Sequence, residues 1–497
     1  MNPQRIVVIG AGLGGLSAAI SLATEGHDVT IVEKNDKPGG KLNVAEEQGF
    51  RFDLGPSILT MPHIFTALFE RAGKSMRDYV EFQELKTHWR NFFEDGLVLD
   101  LCSDLREQEA ELRKLPAGTA NGFFEFLDYS RRLCELTEQG YFAKGLDTFG
   151  ELVKFYGLAR SFAGFDVLRS LDGGVRRFVK EPHLVDILNY FIKYVGSSPY
   201  DSPALLNLLP HVQFGYGLWY VKGGMHALAR ALERLLLDLG GRIRYRSEIV
   251  GIDHAESRLT AVRTADGEAL SADIVVANME VVPFYEKLMR EPPAFLARYR
   301  KFAPSCSGLV LHLGVDRLYP QLAHHNVLYS RNARLHFDSI FKKRVLSADP
   351  TIYLVAPCKT DPALAPAGCE IIKVLPHIPH LKDDDPFSAE DYAAFRERVL
   401  LKLERMGLTD LRKHIVVEKM WTPHDIERLY YSNRGSIYGV VSDRWKNLGF
   451  KAPQRSERYR NLYFVGGSVN PGGGMPMVTL SGQLVRDKIQ QDLAAAG

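Results

Sequence analysis

Cysteine is scarce in this chain and badly placed for its special chemistry. The five cysteines, Cys102, Cys134, Cys306, Cys358 and Cys369, form no CxxC pair and have no metal-ligand spacing. Free thiols in a reducing compartment are therefore expected, rather than a disulfide framework. Net charge is almost absent too: 62 Lys and Arg against 60 Asp and Glu leave +2, too little to indicate nucleic acid as a partner. No apolar run approaches the roughly 18 residues of a membrane span. The N-terminus shows no basic stretch followed by an apolar stretch and a cleavage site, so no signal peptide is expected. A protein in the cytoplasm, or lying peripherally on the cytoplasmic face of the cell membrane, is the expectation. No GxSxG turn or Cys/His motif points to a hydrolase. The adjacent His324 and His325 would point oppositely from a strand, without a partner at ligand spacing, so no metal is expected.

What is present begins with the first strand. The 497 residues are 45% hydrophobic and 25% charged, which suits two or three closely joined globular units. Ile6-Val7-Val8-Ile9 is a continuous β-branched run, as in a parallel strand buried on both faces. It leads into Gly10-Ala11-Gly12-Leu13-Gly14-Gly15, a GxGxxG at Gly10, Gly12 and Gly15. Leu16, Ala19, Ile20 and Ala23 then recur at helical spacing, Gly26 marks a stop, and Val29-Thr30-Ile31-Val32 forms a second strand ending at Glu33. Gly10 permits the tight turn, Gly12 lets the backbone approach a pyrophosphate, and Gly15 lets helix and strand pack closely. The helix N-terminus holds phosphate charge. Glu33, eighteen residues past Gly15, is placed to bond a ribose diol. GxGxxG alone is a weak signal; strand, glycines, helix, strand and acid in this order point to a dinucleotide.

Two features favour FAD over NAD. Gly39-Gly40-Lys41 and Phe52-Asp53-Leu54-Gly55-Pro56 look like further backbone turns around a longer cofactor. At the other end of the chain, the buried-strand run Tyr463-Phe464-Val465 is followed by Gly466-Gly467-Ser468, Pro471-Gly472-Gly473-Gly474 and a helix around 479–489. A strand, a glycine turn and a helix start again suit phosphate or flavin contact.

Between these ends, Trp219-Tyr220-Val221-Lys222-Gly223-Gly224 precedes an amphipathic helix with Leu228, Ala231, Leu232, Leu235 and Leu236 on one face. A hairpin is expected from 259–264 through Asp266-Gly267 to 272–277. The cofactor domain is therefore expected to be discontinuous, comprising 1–98, 219–289 and 415–497, with 99–218 and 290–414 forming the substrate-binding, membrane-associating domain. Residues 151–180 interleave Phe155, Tyr156, Leu158, Phe162, Phe165, Leu168 and Leu171 with Lys154, Arg160, Arg169, Arg176, Arg177 and Lys180. Such a segment reads either as a core-facing helix with a basic solvated side or as a helix in a membrane interface.

Taken together, Gly10 to Gly15, Glu33, Gly39-Gly40, Phe52 to Pro56, Lys222-Gly223-Gly224-Met225 and Pro471-Gly472-Gly473-Gly474-Met475-Pro476 resemble the carotenoid desaturase and oxygenase family of flavoproteins. The resemblance runs along essentially the whole chain. It is nearest to the diapocarotenoid terminal oxygenase branch, through Ser57-Ile58-Leu59-Thr60-Met61-Pro62 and the stretches 190–198, 321–326, 373–379, 432–441 and 466–471. Desaturases of the family carry Thr-His-Pro-Gly where this chain has Val469-Asn470-Pro471-Gly472, a departure that weakens simple dehydrogenation.

The resemblance implies an α/β fold: a Rossmann-like FAD-binding domain of the glutathione reductase and amine oxidase kind, with an inserted α+β domain facing substrate and membrane. It implies FAD-dependent oxidation of a terminal methyl of a thirty-carbon carotenoid to an aldehyde, on an apolar substrate taken from the membrane. The FAD contacts it implies are Gly10, Gly12, Leu13, Gly14, Gly15, Glu33 and Lys34, then Gly40, Lys41, Gly55, Pro56, Ile249 and Asn278, and finally Gly466, Gly467, Gly474, Met475 and Val478. Asn470, Pro471 and Met475 are the implied neighbours of the reacting centre, and Tyr194, Trp219 and Tyr438 the implied substrate contacts. A diapophytoene or phytoene-type desaturase, an amine-oxidase-like flavoenzyme and a non-catalytic carotenoid carrier or partner subunit stay open as alternatives.

Overall fold

A computed structural model describes residues 2–382 and 387–496. Five parallel strands make the first sheet: β1 (Arg5–Ile9), β2 (Asp28–Val32), β3 (Arg242–Arg244), β4 (Ile274–Ala277) and β5 (Leu462–Phe464), ordered β5-β4-β1-β2-β3. Central β1 has four of its five residues buried, which is why it reads as continuously apolar rather than alternating. Helix α1 (Leu13–Thr24) buries ten consecutive residues because α2 (His226–Asp238) and α3 (Met475–Ala496) both pack against it. Small residues make the approach of α3 possible: Ser17 Oγ donates to the Thr479 carbonyl at 2.6 Å, and a side chain at Gly482 would meet the α1 backbone. The two ends of the chain are thereby locked together behind the sheet.

The second sheet is eight-stranded. Along its path run Ile415–Trp421, Val310–Val315, Glu370–Ile378, Ile352–Val355, His325–Leu328, Thr87–Phe92 and Val98–Cys102, with Ser307–Gly308 also pairing onto Glu370–Ile378. Helix Ala389–Arg405 covers one face, burying Tyr392, Phe395, Val399 and Leu403. Residues 87–98 and 415–421, expected with the cofactor-binding stretches, are hydrogen-bonded into this sheet instead. Thr87–Phe92 forms a local hairpin with Val98–Cys102, but its pairing with His325–Leu328, and that of Ile415–Trp421 with Val310–Val315, join segments far apart in the chain and could not be read from sequence position. Among the described residues no helix is long and apolar enough to cross a membrane.

Two other expectations change. Asp266-Gly267 does make a turn, but it joins Arg258–Thr264 to the short strand Ala269–Ser271, with Gly267 at φ +92°. Residues Ile274–Ala277 leave that small sheet and pair with β1. The 151–180 segment is not one helix. It breaks into Phe149–Tyr156, a turn at Arg160–Gly164 and Leu171–Val175, with Gly157 at φ +81° ending the first piece.

Candidate active site

A long cavity starts at the C-terminal end of β1 and runs to the N-terminus of α3. Gly10, Gly12, Leu13 and Gly14 line its beginning, and Gly466, Gly467, Gly474, Met475 and Val478 its far side. Gly10 turns the chain at φ +95°. The Asn278 side chain, carried on the residue after β4, lies against these glycines: a Cβ at Gly14 would sit 2.7 Å from Asn278 Oδ1. Asn278 is itself fixed by its amide, which donates to the Ile9 carbonyl at 2.9 Å. Gly15 is not on the cavity wall; a Cβ there would fall on the Gly10 carbonyl oxygen, so its role is close helix–strand packing. The cradle is thus glycine backbone against the Asn278 side chain, and a side chain at Gly12 or Gly14 would collide with Asn278.

Glu33 ends β2 at the cavity wall. Its carboxylate accepts from the Ala11 amide at 2.7 Å and from the Asn35 amide and side chain at 2.8 and 2.9 Å. These bonds hold it rigidly toward the groove, where free lone pairs suit a ribose diol. Lys34, Gly40, Lys41, Gly55, Pro56 and Ile249 also line the groove. Lys41 Nζ donates to the Ser436 carbonyl at 3.0 Å and pairs with Glu280 at 3.3 Å, so it ties two walls together. Lys34 Nζ lies 3.6 Å above the Tyr431 ring, and burial pulls its ammonium below the usual lysine range. The motif around Asp53 has a bracing role: its carboxylate accepts from the Met225 and His226 amides at 2.8 and 3.3 Å, capping the start of α2.

A second cavity, mostly apolar, adjoins the first. Gly55, Pro56, Lys373, Leu375, Tyr438, Gly473, Gly474 and Met475 belong to both walls. From this junction the second cavity passes Tyr194, Tyr353, Leu209 and Val212 and continues past Phe149, Phe162, Phe165 and Leu168. Leu168 and Phe162 are 64% and 39% exposed, so the cavity's outer end lies among surface apolar side chains. Such a slot suits a long apolar molecule with one end at the junction.

Of the implied reacting neighbours, Pro471 and Met475 line the second cavity and Asn470 does not. Asn470 Oδ1 accepts from Tyr141 Oη at 2.6 Å and from the Lys451 amide at 2.9 Å, while Nδ2 donates to Asp147. Its polar atoms are spent bracing the 471–474 turn from behind. Tyr194 and Tyr438 line the second cavity. Trp219 lines neither cavity: its indole donates to the Tyr216 carbonyl at 2.7 Å and its strand pairs with Phe82–Glu84.

Sequence reasoning passed over three buried lysines of the second cavity. Lys373 sits at the junction, where Nζ donates to the Gly55 carbonyl and to Ser57 Oγ; burial lowers its pKa to about 8 although Asp53 opposes the shift. Lys451 Nζ donates to the Val440 carbonyl and Ser442 Oγ, both at 2.7 Å. Lys193 Nζ has no hydrogen-bond partner. One signal was available: Lys373 is a lone cation in the otherwise apolar run Ile371–Leu375, within a strand that has eight of its nine residues buried.

The groove fits FAD by its own features: a backbone cradle at one end, a carboxylate for a ribose beside it, and a helix N-terminus bordering the far end. Comparison with known proteins agrees. The family model described as flavin containing amine oxidoreductase matches residues 13–485. The 4,4'-diapolycopene oxygenase of Methylomonas sp is 68% identical over 490 residues, covering 99% of both chains. The 4,4'-diaponeurosporene oxygenase of Staphylococcus haemolyticus is 52% identical, covering 98% of this chain and 97% of the relative. An oxidoreductase crystal structure from Methanosarcina mazei superposes with a TM-score of 0.67 at 17% identity, covering 97% of this chain and 100% of the other. With the cofactor groove, the matched span and these relatives in agreement, the chain belongs to the flavin containing amine oxidoreductase family, and its cofactor is FAD.

Proposed function

We propose that this chain oxidises a terminal methyl group of 4,4'-diapolycopene or 4,4'-diaponeurosporene to an aldehyde, the substrates that its relatives' names carry. The observation that carries the reading is the junction, where one apolar slot ends against the cofactor groove at Tyr438, Lys373, Gly473, Gly474 and Met475. FAD, when bound, supplies the two-electron oxidations. The chain's own residues bind and orient. The amides after β1 and the start of α1 would hold the diphosphate, with Glu33 on the ribose. The N-terminus of α3 borders both cavities and favours negative charge there. Tyr438, Leu375 and Met475 press the polyene end against the groove and keep bulk water from the reacting carbon. Pro471, with Asn470 behind it, sets the turn that shapes this wall. The five-stranded sheet carries cofactor binding, and the eight-stranded sheet and its helices carry the substrate.

The second part of the proposal is peripheral attachment to the cytoplasmic face of a membrane. At about 0.8 kcal/mol per CH2 unit, a thirty-carbon hydrocarbon pays on the order of 20 kcal/mol to enter water, so it must be collected from a bilayer. Phe155, Leu158 and Leu168 are 47%, 62% and 64% exposed around the slot's outer end, with Lys154, Arg160 and Arg169 among them. An apolar tip within a cationic rim suits an anionic lipid surface.

Mass analysis of the pigment made by purified holoenzyme from the hydrocarbon tests the reaction. Gain of one oxygen with loss of two hydrogens per end is expected. Loss of hydrogens alone would replace this reading by the desaturase, and ammonia release from amines would indicate an amine oxidase. Reaction in isotopically labelled dioxygen identifies the oxygen source.

A further inference from the structure

Lys193 stands on the turn Phe191–Tyr194 and is 4% exposed, with its side chain on the wall of the apolar slot. Its Nζ lies 3.2 Å above the centre of the Tyr353 ring and 4.4 Å above that of Trp89. Two of the neighbouring hydroxyls are taken: Tyr353 Oη bonds His325 Nδ1 at 2.8 Å, and Tyr194 Oη donates to Gln213 at 2.6 Å. Tyr190, whose ring centre is 5.8 Å from Nζ, has a hydroxyl without a partner, and it makes no hydrogen bond to the lysine either. The other two lysines of the slot are both hydrogen-bonded to a carbonyl and a serine, so Lys193 alone of the three keeps its donors unspent.

Its position is at the reacting end. Strands Ile352–Val355 and Glu370–Ile378 pair with Tyr353 opposite Leu375 and Val355 opposite Lys373. Tyr353, Lys373 and Leu375 therefore share one face of the sheet. Lys373 and Leu375 border both cavities, and Lys193 rests on Tyr353 beside them. A hydrocarbon offers nothing to an unpaired N–H. A buried polar group without a partner is among the most destabilising features a fold can keep. A terminal hydroxyl or aldehyde, created at this end of the slot, would give it the missing partner.

We propose that Lys193 is an oxygen-binding subsite that holds the terminal oxygen of the half-oxidised polyene at the junction, retaining the alcohol until it becomes the aldehyde. The inference rests on the terminal-oxidation reading above and adds to it the residue that makes the second oxidation follow the first. Burial pulls the Lys193 ammonium well below the ordinary lysine range, which favours the neutral amine that can meet a carbonyl.

That availability supplies a direct test. FAD-loaded enzyme is mixed with the polyene terminal aldehyde and sodium cyanoborohydride, then digested for peptide mass analysis. The amine nitrogen adds to the aldehyde carbon, water leaves, and the borohydride reduces the C=N bond to a stable secondary amine. The adduct is expected on Lys193 and absent from the Lys193→Met holoenzyme. In that variant the affinity for alcohol and aldehyde should fall at least tenfold more than the affinity for the hydrocarbon. The ratio of alcohol to aldehyde among its products should rise at least tenfold. Its thermal stability should hold or increase, because an unpaired buried amine has been removed, whereas a purely structural lysine would leave a less stable protein. A label found elsewhere, or equal losses of affinity for hydrocarbon and aldehyde, overturns the proposal. If the variant does not fold, the wild-type label decides. Failure of the wild type to put oxygen on the hydrocarbon refutes the terminal-oxidation reading instead, and the aldehyde-labelling arm still reads the subsite.

Discussion

A Cβ on Gly15 would collide with the Gly10 carbonyl oxygen, and one on Gly55 would collide with the Lys41 carbonyl oxygen. Both obstacles are backbone and cannot swing aside. Gly15→Ala is expected to cost more than about 2 kcal/mol and to lower the flavin retained through gel filtration, because β1 and α1 must separate. Unchanged flavin content would remove Gly15 from the account of the cradle. Buried lysines make a second test at this scale. Burial lowers the Lys451 pKa to about 7 from the free value of 10.5. Between those values the unfolded chain binds a proton that the folded chain does not, so this lysine makes stability rise with pH above about 7. The slope is about 1.4 kcal/mol per pH unit at most. Urea unfolding at neutral and mildly alkaline pH should show a steeper rise for the wild type than for Lys451→Met. Parallel slopes would mean that the amine is solvated.

At the scale of elements, the broken segment Phe149–Tyr156, Arg160–Gly164 and Leu171–Val175 does two things that one helix cannot. It turns Phe165 inward, 1% exposed against Leu136, Leu152 and Val167, and leaves Phe155 and Leu158 outside. These neighbours therefore have opposite expected phenotypes. Replacing Phe155 and Leu158 together by Ser should weaken cosedimentation with anionic liposomes at least tenfold and leave the melting temperature nearly unchanged. Phe165→Ser should instead destabilise the fold by about 3 kcal/mol or more through the cavity it creates. Identical liposome binding by the double variant would move the membrane contact elsewhere.

On the scale of the whole molecule, the FAD groove is walled by residues from 9–14, 247–249, 278–280 and 466–478, and by the second sheet at Lys373 and Trp421. A ligand in it contacts both ends of the chain and both sheets at once. Adding FAD to stripped protein at a hundredfold excess over its dissociation constant should stabilise it by about 2.7 kcal/mol. Calorimetry should show the melting transition moving upward as one unit. A shift confined to part of the transition would mean that the sheets unfold independently.

Local signals were legible in the chain wherever contiguous residues carry the geometry. The strand, glycine turn and helix at 5–24, the acid at Glu33, the amphipathic helix at 226–238 and the glycine turn before α3 are of this kind, because backbone sterics and periodicity act over a few residues. The tertiary structure alone decided which side of an element each residue meets. It paired Ile274–Ala277 with β1, drew Thr87–Phe92 into the second sheet, spent Asn470 on Tyr141 and Lys451, turned Trp219 from the slot, and left Lys193 unpaired on its wall. For the strands the deciding partner is distant in sequence, and for Asn470, Trp219 and Lys193 the outcome depends on which segments close around the residue. Burial and hydrogen-bond pairing depend on the surfaces that meet after folding, which no neighbouring residue can specify.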